Sequence, residues 1–364
     1  MHIAIVGCGQ LARMLALAGI PLGLKFSFIV NPDEQKDTAC IDGFGTIACW
    51  QKGVAIGELY IALGRPDIVT IEKESVDLSL LTELEKYCKV YPSAKSVFYS
   101  QNRYHEKLLL EKLDIATADF KYGNSLESCV KSLGYPLVIK SISEGYDGKN
   151  QWRLKEQADI AVINQQANIE NCIVEKWVPY QFEFSMIAAR SAVGQFVVYP
   201  PTENQHIDGV LARSIVPASQ LEQAHIDTAI NYIKKIMREL DYVGVMAMEC
   251  FFADGQVLVN ELAPRVHNSG HWTQAASITS QFENHIRAIA NFDLGATRLT
   301  GSAGMLNLLG AGVPPLEVLS SQTSLHWYNK LPRDGRKVGH INFVGDSREE
   351  VLADIGAVEL LMNA

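Results

Sequence analysis

Residues 260–273, NELAPRVHNSGHWT, carry side chains that could bind both a cation and an anion. Glu261 can ligate a hard cation through its carboxylate oxygens. Arg265 offers a planar pair of donors to a phosphate or carboxylate, while His267 and Asn268 can donate to oxygens that gain charge during a reaction. The segment therefore indicates chemistry at a phosphate or carboxylate with a metal beside it.

A second glutamate, Glu249, lies upstream on the apolar run VGVMAMECFFADGQVLV, residues 243–259, which turns at Asp254-Gly255 and leads into Glu261. This pattern predicts a β-hairpin. Because side chains alternate along a strand, the turn decides whether the two carboxylates share a face, and a two-residue turn would separate them. We predict a three-residue loop ending in a left-handed Gly255. Glu261 then lies diagonal to the residue opposite Glu249, on the same face and roughly 7 Å away.

The two glutamates also have a purely structural interpretation. Both faces of the hairpin are apolar, so the carboxylates should be buried, and a buried carboxylate needs a partner or a metal. Ordinary salt bridges would meet that need, and the loop after Glu261 could be held by hydrogen bonds without any ligand. Asn260 would add a neutral oxygen if a metal binds.

The elements that position these residues begin with a βαβ unit. The N-terminal stretch reads as a strand, a glycine turn, an amphipathic helix and the strand KFSFIV, and a helix near residues 54–63 and the strand DIVTIE follow. This order predicts a parallel sheet covered by helices. The turn at residues 7–12 also fits a dinucleotide-binding oxidoreductase, but KFSFIV is followed by Asn31 where such a site needs an acidic residue, and Asp33 and Glu34 come only afterwards. The oxidoreductase is therefore disfavoured.

Composition narrows the class of protein. The 364 residues are 48% hydrophobic, which allows a large core in two or three domains. A formal charge of −9 and a pI near 5.5 argue against a nucleic-acid-binding surface and favour small ligands. The seven scattered cysteines form no Cys-x-x-Cys pair, which predicts a reduced, cytoplasmic protein. No apolar stretch has the length of a membrane span and no signal peptide is evident, so we expect a soluble protein.

Together these motifs resemble the ATP-grasp superfamily and, within it, the family of 5-(carboxyamino)imidazole ribonucleotide synthases. The resemblance extends from GCGQLARM, residues 7–14, through the metal-binding signature at Glu249 and Glu261 to GRKVGHIN, residues 335–342. It implies an α/β fold of the α+β ATP-grasp type. The implied parts are an N-terminal βαβ parallel-sheet domain at residues 1–98, a central ATP-grasp domain at 99–296 with a mobile lid at about 124–182, and a small C-terminal domain at 297–364.

The resemblance also implies an ATP site. Arg103 and Lys140 would contact the phosphates under a loop that excludes water, and residues 175–178 with Glu183 would bind adenosine. From the residues alone, Lys140 could be a snorkelling lysine, and Glu175 and Glu183 could be edge-strand charges on what we predict to be a single strand, residues 171–189. The implied nucleotide ligands are Arg103, Lys140, Gly145, Tyr146, Asp147, Gly148, Lys149, Asn150, Gln151, Glu175, Lys176, Trp177, Val178, Glu183, His206, Asn260 and Glu261, with Mg²⁺ or Mn²⁺ at Glu249 and Glu261.

Catalytic and substrate-binding residues are implied in the same way. Arg265, His267 and Asn268 would hold a carboxyphosphate intermediate and Asp147 would accept a proton, although a Tyr-Asp-Gly sequence also suits an ordinary turn. The implied catalytic set is Asp147, Arg265, His267, Asn268 and Lys337, and the implied substrate-binding set is Gln10, Glu72, Tyr146, Asp147, Lys330, Arg336 and Lys337. The amides of the glycine turn suit the substrate phosphate. Glu72 has a strand-end cap as its alternative, and the basic residues could be solvated hairpin charges.

The implied activity is the carboxylation of 5-aminoimidazole ribonucleotide with ATP and bicarbonate in purine biosynthesis, by a homodimer. Cys8, Ala12 and Asn150 stand where the family usually has glycine, which puts the contacts of the first turn and the movement of the lid in question. Two alternatives are another ATP-grasp carboxylate-amine ligase and a non-catalytic nucleotide-binding protein. Glu249, Glu261 and Arg265 argue against the loss of catalysis.

Overall fold

The structure, a computed structural model, describes residues 1–123, 125–143, 150–310 and 312–363 of the chain. Within these ranges the strands form a five-stranded, a four-stranded and a nine-stranded sheet, with helices packed on them. The five-stranded sheet is parallel and the other two are antiparallel, which agrees with the predicted fold class. None of the helices in these ranges is long and apolar enough to cross a membrane.

The N-terminal sheet confirms the predicted βαβ opening. Its strands are β1 (His2–Val6), β2 (Lys25–Val30), β3 (Gly45–Cys49), β4 (Ile68–Ile71) and β5 (Lys89–Val90), and its helices are α1 (Gln10–Gly19), α2 (Ile56–Ala62), α3 (Leu78–Leu84) and α4 (Ala94–Ser100). The strands lie in the order β3-β2-β1-β4-β5. Apolar side chains of β1 pack alternately into the cores on its two faces, as expected for a parallel strand covered on both sides. Gly7, at φ 121°, makes the turn from β1 toward α1.

The four-stranded sheet follows a capped helix. The elements are α5 (Arg103–Lys112), β6 (Phe120–Tyr122), α6 (Leu126–Leu133), β7 (Leu137–Ser141), β8 (Gln151–Leu154), α7 (Asp159–Gln166) and β9 (Cys172–Lys176). The strand order is β6-β9-β7-β8, and α6 and α7 cover one face with apolar side chains. The Asn102 side chain accepts hydrogen bonds from the backbone N–H groups of Tyr104 and His105, which fixes the start of α5.

The nine-stranded sheet joins the central and C-terminal parts of the chain. Its strands are β10 (Phe182–Arg190), β11 (Phe196–Val198), β12 (Thr202–Ile207), β13 (Val210–Val216), β14 (Gly244–Ala253), β15 (Gln256–Ala263), β16 (Ser302–Leu309), β17 (Thr323–Trp327) and β18 (Lys337–Gly345), and its helices are α8 (Gln223–Glu239), α9 (Thr273–Ala276), α10 (Gln281–Ala290) and α11 (Arg348–Asn363). The order is β15-β14-β10-β12-β13-β16-β18-β17, with β11 beside β10. Pairing of β13 with β16 makes the C-terminal strands a continuation of the central sheet.

The prediction of a single strand at residues 171–189 is wrong. β9 ends at Lys176 in the four-stranded sheet, and β10 begins at Phe182 in the nine-stranded sheet. Between them lies Pro179, which has no N–H group to donate to a strand ladder. The segment therefore crosses from one sheet to the other, and the predicted adenosine ligands lie where the two sheets meet.

The prediction for the hairpin at Asp254-Gly255 is wrong in its turn and in the diagonal placement of the two glutamates, which pair directly, but it is right that they share a face. Ala253 pairs with Gln256, and both turn residues have positive φ, 49° and 73°, so the loop has two residues. This register would separate the two glutamates. However, Cys250 pairs with Val259 while Glu249 pairs with Glu261, which leaves Asn260 as the extra residue of a β-bulge. The bulge returns both carboxylates to one face.

His285 joins α10 to two sheets in the protein interior. Its Nδ1 accepts a hydrogen bond of 3.1 Å from the backbone N–H of Val245, and its Nε2 lies 2.8 Å from Oγ1 of Thr70. Burial lowers the pKa of His285 to about 4, so the ring is neutral near pH 7. Because Nδ1 accepts, Nε2 carries the proton and donates to Thr70.

Candidate active site

The two predicted metal ligands, Glu249 and Glu261, lie directly opposite each other on β14 and β15. Opposed side chains on antiparallel strands have Cβ atoms about 4.5–5.5 Å apart. Burial and then the charge of Glu261 raise the pKa of Glu249 to about 7. A cation between the carboxylates would relieve this repulsion. Among the described residues, no group of three or more His, Cys, Asp or Glu side chains is placed to hold a metal. The pair thus suits an ion that takes two carboxylates and fills its other positions with phosphate and water oxygens.

Lys140, Glu175 and Asn260 come from three strands and meet in one cluster beside this pair. Nζ of Lys140 donates to Oε2 of Glu175 at 2.8 Å and to Oδ1 of Asn260 at 3.1 Å. Lys140 is only 7% exposed, so it is not a snorkelling lysine. Burial alone would raise the pKa of Glu175, but the charges of Lys107 and Lys140 hold it at about 2. The two lysines therefore keep the Glu175 carboxylate charged in the protein interior, while burial lowers the pKa of Lys107.

Arg103 connects α5 to the same cluster. Its Nη1 donates to the backbone carbonyl of Ser141 at 3.0 Å, and its backbone N–H donates to that of Ile142 at 3.0 Å. Nη2 lies 3.7 Å from Oε2 of Glu261. The side chain is 14% exposed, which is low for a residue that the helix pattern alone would place in solvent. Arg103 thus faces both the end of β7 and the carboxylate pair.

Glu183 on β10 and His206 on β12 form an ion pair on the other side of the carboxylates. Burial alone would lower the pKa of His206, but the hydrogen bond and charge of Glu183 raise it. Burial alone would raise the pKa of Glu183, but His206 and then Tyr180 lower it. A small pocket connects the pair to the metal ligands, and it is lined by Glu183, Phe184, Asn204, His206, Glu249, Cys250, Phe251 and Asn260.

The predicted adenine-binding segment follows β9. The backbone N–H of Lys176 donates to the carbonyl of Asp119 at 2.7 Å, and that of Trp177 donates to Pro136 at 3.0 Å. The carbonyl of Val178 accepts from the N–H of Tyr180 at 3.0 Å. Lys176 and Trp177 therefore use their backbone donors within the protein, which leaves adenine recognition to other groups of this segment.

The predicted loop over the nucleotide is described only at its end. Gln151 pairs with Lys140 in the β7–β8 ladder, and the carbonyl of Asn150 accepts from the N–H of Ser141 at 3.1 Å. Asn150 has φ 54°, a left-handed conformation that favours the glycine usual in the family at this position. The predicted ligands that lie outside the described residues are Gly145, Tyr146, Asp147, Gly148 and Lys149.

Arg265 is held by a carboxylate that the sequence analysis missed. Its Nε and Nη2 both donate to Glu74, with Nη2 3.2 Å from Oε1, so the guanidinium is held in a bidentate pair. Nη1 donates to the carbonyl of Val266 at 3.2 Å. Burial alone would raise the pKa of Glu74, but Arg265 lowers it. Glu74 thus orients the guanidinium, and the segment VTIEKESVD offered two glutamates of which only Glu72 was considered.

His267 links Arg265's loop to the metal pair. Nδ1 accepts from the backbone N–H of Ser269 at 3.3 Å, and Nε2 lies 3.2 Å from Oε1 of Glu249. Burial, followed by the charges of Arg265 and Lys337, lowers the pKa of His267 well below its ordinary value. The ring is therefore neutral with its proton on Nε2, where it donates to Glu249. The cationic groups around this neutral imidazole form an environment suited to an anion.

Asn268 faces a second asparagine. Its Nδ2 donates to Oδ1 of Asn307 at 3.0 Å, and Nδ2 of Asn307 donates back to Oδ1 of Asn268 at 2.7 Å. Asn307 also donates to the carbonyl of Leu211 at 2.7 Å. The predicted anion contact from Asn268 would therefore require this amide pair to open.

The predicted basic residues of the C-terminal part meet the start of α1. Lys330 donates to Oε1 of Gln10, and Arg336 pairs with Asp37 and donates to the carbonyl of Leu331 at 3.2 Å. Lys337 begins β18 and contributes its charge to the surroundings of His267. The structure thus brings residues 330–336 into contact with the N-terminal sheet domain at Gln10 and Asp37.

Glu72 occupies the position expected for a substrate phosphate. Its carboxylate accepts from the backbone N–H of Gly9 and, at 2.8 Å, from that of Ala12, at the start of α1. A Cβ atom at Gly7 would lie 2.3 Å from the Glu72 side chain, so the glycine permits this approach. These contacts cap the N-terminus of α1, whereas the structural alternative for Glu72 was a cap at the end of its own strand. A phosphate could use these amides only if Glu72 moved.

Comparison with known proteins covers nearly the whole chain. Residues 1–101 match the ribonucleotide synthetase preATP-grasp domain, 108–282 the ATP-grasp domain, and 303–354 the phosphoribosylaminoimidazole carboxylase C-terminal domain. The N5-carboxyaminoimidazole ribonucleotide synthase of Vibrio cholerae is 40% identical, over 96% of this chain and 93% of that protein.

Solved structures agree with this assignment. The crystal structure of N5-carboxyaminoimidazole ribonucleotide synthetase from Thermus thermophilus superposes with a TM-score of 0.91 at 36% identity, covering 100% of this chain and 99% of the other. The N5-carboxyaminoimidazole synthase of Aspergillus clavatus, in complex with ADP and 5-aminoimidazole ribonucleotide, gives a TM-score of 0.86 at 25% identity, covering 100% and 98%. The chain therefore belongs to the N5-carboxyaminoimidazole ribonucleotide synthase family of ATP-grasp enzymes.

Proposed function

We propose that this protein is an ATP-dependent ligase that carboxylates 5-aminoimidazole ribonucleotide with bicarbonate to 5-(carboxyamino)imidazole ribonucleotide, with release of ADP and phosphate. The observation that carries the proposal is the continuous arrangement of Glu249 and Glu261, with the Lys140 cluster on one side and the His267–Arg265 loop on the other. A nucleotide between these groups would direct its terminal phosphate toward the anion-binding loop.

In the first step, a bicarbonate oxygen attacks the γ-phosphorus of ATP, the bond to the β-phosphate oxygen breaks, and carboxyphosphate and ADP form. Glu249 and Glu261 would hold Mg²⁺, which supplies charge neutralisation at the transferring phosphoryl group when bound. Lys140 lies beside this pair and would contact the nucleotide phosphates. Arg265, oriented by Glu74, would hold the carboxylate end of the intermediate.

In the second step, the amine of the ribonucleotide takes the carboxyl group, phosphate leaves and the amine gives up a proton. We propose Asp147, which lies outside the described residues, as the group that accepts it. Lys330, Arg336 and Lys337 would bind the ribonucleotide phosphate, and Gln10 accepts a hydrogen bond from Lys330. His267, neutral and donating to Glu249, would keep that metal ligand in position while the intermediate reacts.

The test is ADP release from Mg-ATP and bicarbonate with and without 5-aminoimidazole ribonucleotide, while labelled bicarbonate is followed into the acid-labile product. ADP and label that both depend on the ribonucleotide would support the proposal. Glu249→Gln should lower both signals about 10²- to 10³-fold, whereas Glu83→Gln, on the exposed side of α3, should leave them unchanged. ADP release that depends on a different amine would indicate another ligase, and nucleotide binding without turnover would indicate a binding protein.

We further propose three functional parts at residues 1–98, 99–296 and 297–364, acting in the cytoplasm as a homodimer. The seven cysteines are all free thiols, which suits a reducing compartment. Light scattering coupled to gel filtration would test the dimer, and a monomer mass at assay concentration would contradict it.

A further inference from the structure

Lys107 is a fully enclosed ammonium group next to the nucleotide cluster, and the proposed reaction gives it no role. Its side chain is 1% exposed. Nζ donates to Oγ1 of Thr117 at 2.5 Å and to the carbonyl of Asn260 at 3.2 Å, and it lies 3.6 Å from Oε1 of Glu175. Thr117 in turn donates to the carbonyl of Val259 at 2.6 Å. Two of these contacts are hydrogen bonds, and the contact with Glu175 is an ion pair.

These contacts fix Lys107 to the edge of the large sheet. Among the described residues β15 is the last strand on its side, and beyond it only residues 116–117 bridge to Val259. Lys107 donates to the carbonyl of Asn260, the bulge residue, and Thr117 donates to that of Val259, the residue before it. Glu106, the residue before Lys107, accepts from the N–H of Leu262 at 2.8 Å. Lys107 is therefore bonded to the backbone next to Glu261. A movement of this backbone would also move the proposed metal ligand.

Glu175 is shared between Lys107 and Lys140. Lys107 approaches Oε1, and Lys140 bonds Oε2 at 2.8 Å. The two cations differ in their other partners. Lys107 is bonded to backbone and to Thr117, whereas Lys140 donates at 3.1 Å to the side chain of Asn260, a residue that lines the pocket. Lys140 can thus exchange its partners for a ligand, while Lys107 cannot.

We propose that Lys107 is a positioning residue, the permanent counter-ion of Glu175, which allows Lys140 to turn from that carboxylate to the nucleotide phosphates. The proposal rests on the function proposed above, in which Lys140 binds phosphate. If Lys140 were the sole cation near Glu175, moving it to a phosphate would leave a buried carboxylate without a partner, which is strongly unfavourable. With Lys107 in place, Glu175 keeps its charge and its position when Lys140 moves.

The experiment compares binding of Mg-ADP, by calorimetry, to the unchanged full chain and to variants. Lys107→Met removes the charge at nearly constant volume and should weaken Mg-ADP binding about 10- to 100-fold, the range expected for the loss of one charge-assisted interaction. It should raise the KM for ATP and leave that for the ribonucleotide unchanged. Lys112→Met, on the same helix but exposed, is the matched control and should bind like the unchanged chain.

A second substitution separates positioning from a structural role. In Lys107→Met/Glu175→Gln the carboxylate that would retain Lys140 is gone. Its reference is Glu175→Gln, because Glu175 is also a proposed nucleotide ligand and its own contribution then cancels. The Lys107 substitution should therefore weaken Mg-ADP binding about 10-fold less in the Glu175→Gln background than in the unchanged chain. A purely structural lysine predicts an equal loss in both backgrounds. An equal loss in variants that are folded by circular dichroism would overturn the proposal, as would unchanged binding by folded Lys107→Met.

Thr117→Val provides an alternative test if Lys107→Met does not fold. It removes only the hydroxyl that anchors Nζ, and it should weaken Mg-ADP binding about 3- to 10-fold. Binding equal to that of the unchanged chain would then overturn the proposal. Because these measurements need neither bicarbonate nor ribonucleotide, they are independent of the substrate assignment. Mg-ADP binding without ribonucleotide-dependent turnover would refute the proposed function alone.

Discussion

His285 should make the stability of the protein depend on pH in a way that one substitution can isolate. Its folded-state pKa is about 4, against an ordinary value of 6.5, because burial disfavours the charged ring. Because the folded-state pKa is the lower one, His285 in the unfolded chain binds a proton at a higher pH than it does in the folded protein. Falling pH therefore favours the unfolded chain. Stability is therefore full above pH 6.5 and is lost progressively as the pH falls toward 4.

The magnitude follows from the two pKa values. Between about pH 7.5 and about pH 5, linkage gives a loss of about 2 kcal/mol in the free energy of unfolding from this residue alone. The limit far below the folded-state pKa is about 3 kcal/mol. Other buried histidines, including His271 and His340, shift in the same direction, so the unchanged chain should lose more than this.

The assay is urea unfolding followed by tryptophan fluorescence at these two pH values. His285→Asn keeps an acceptor for the N–H of Val245 but cannot titrate, so its loss between the two pH values should be about 2 kcal/mol smaller than that of the unchanged chain. Thr70→Val breaks the other hydrogen bond and keeps the imidazole, so its pH dependence should remain. Equal pH dependence in His285→Asn and the unchanged chain would refute the reasoning.

Three further predictions concern the site. Glu249→Gln should lower the rate of ADP release about 10²- to 10³-fold in a coupled assay, because it removes one carboxylate of the metal pair; a rate within about 3-fold would contradict that role. Glu74→Gln should lower kcat about 10-fold with little change in the KM for ATP, since Arg265 loses its charged partner; an unchanged kcat would mean that the guanidinium needs no such support. Arg336→Met should raise the KM for the ribonucleotide about 10-fold at similar kcat, which initial-rate kinetics would measure, and an unaffected KM would place the phosphate elsewhere.

The sequence predicted the parallel N-terminal sheet, because a βαβ order follows from periodicity and short-range connection. The shared face of Glu249 and Glu261 was predicted from a wrong turn, because two local effects compete in this hairpin. The Asp254-Gly255 pair favours a two-residue turn, and only the bulge at Asn260 restores the shared face. A bulge has no reliable local signal, so the prediction reached a correct face through an incorrect turn.

The sequence also did not predict which residues form ion pairs with the buried charges of the site. Glu74 reaches Arg265 from a loop that follows β4, and Lys107 reaches Glu175 across two elements. Such pairs are tertiary contacts between segments that are distant in the sequence. The spacing of residues along the chain therefore does not predict them. Lys107 did have a local signal, since it lies one helical turn after Arg103 and so shares its face.

The pairing of β13 with β16 has a consequence for synthesis of the chain. β13 is complete long before the ribosome makes residues 302–309, and until then its outer edge presents unpaired backbone groups. The nascent protein thus passes through a stage in which nearly all of the proposed nucleotide site has been made but one sheet edge is open. Open edges of this kind pair with other chains, so a chaperone that shields the edge should improve the yield of folded protein.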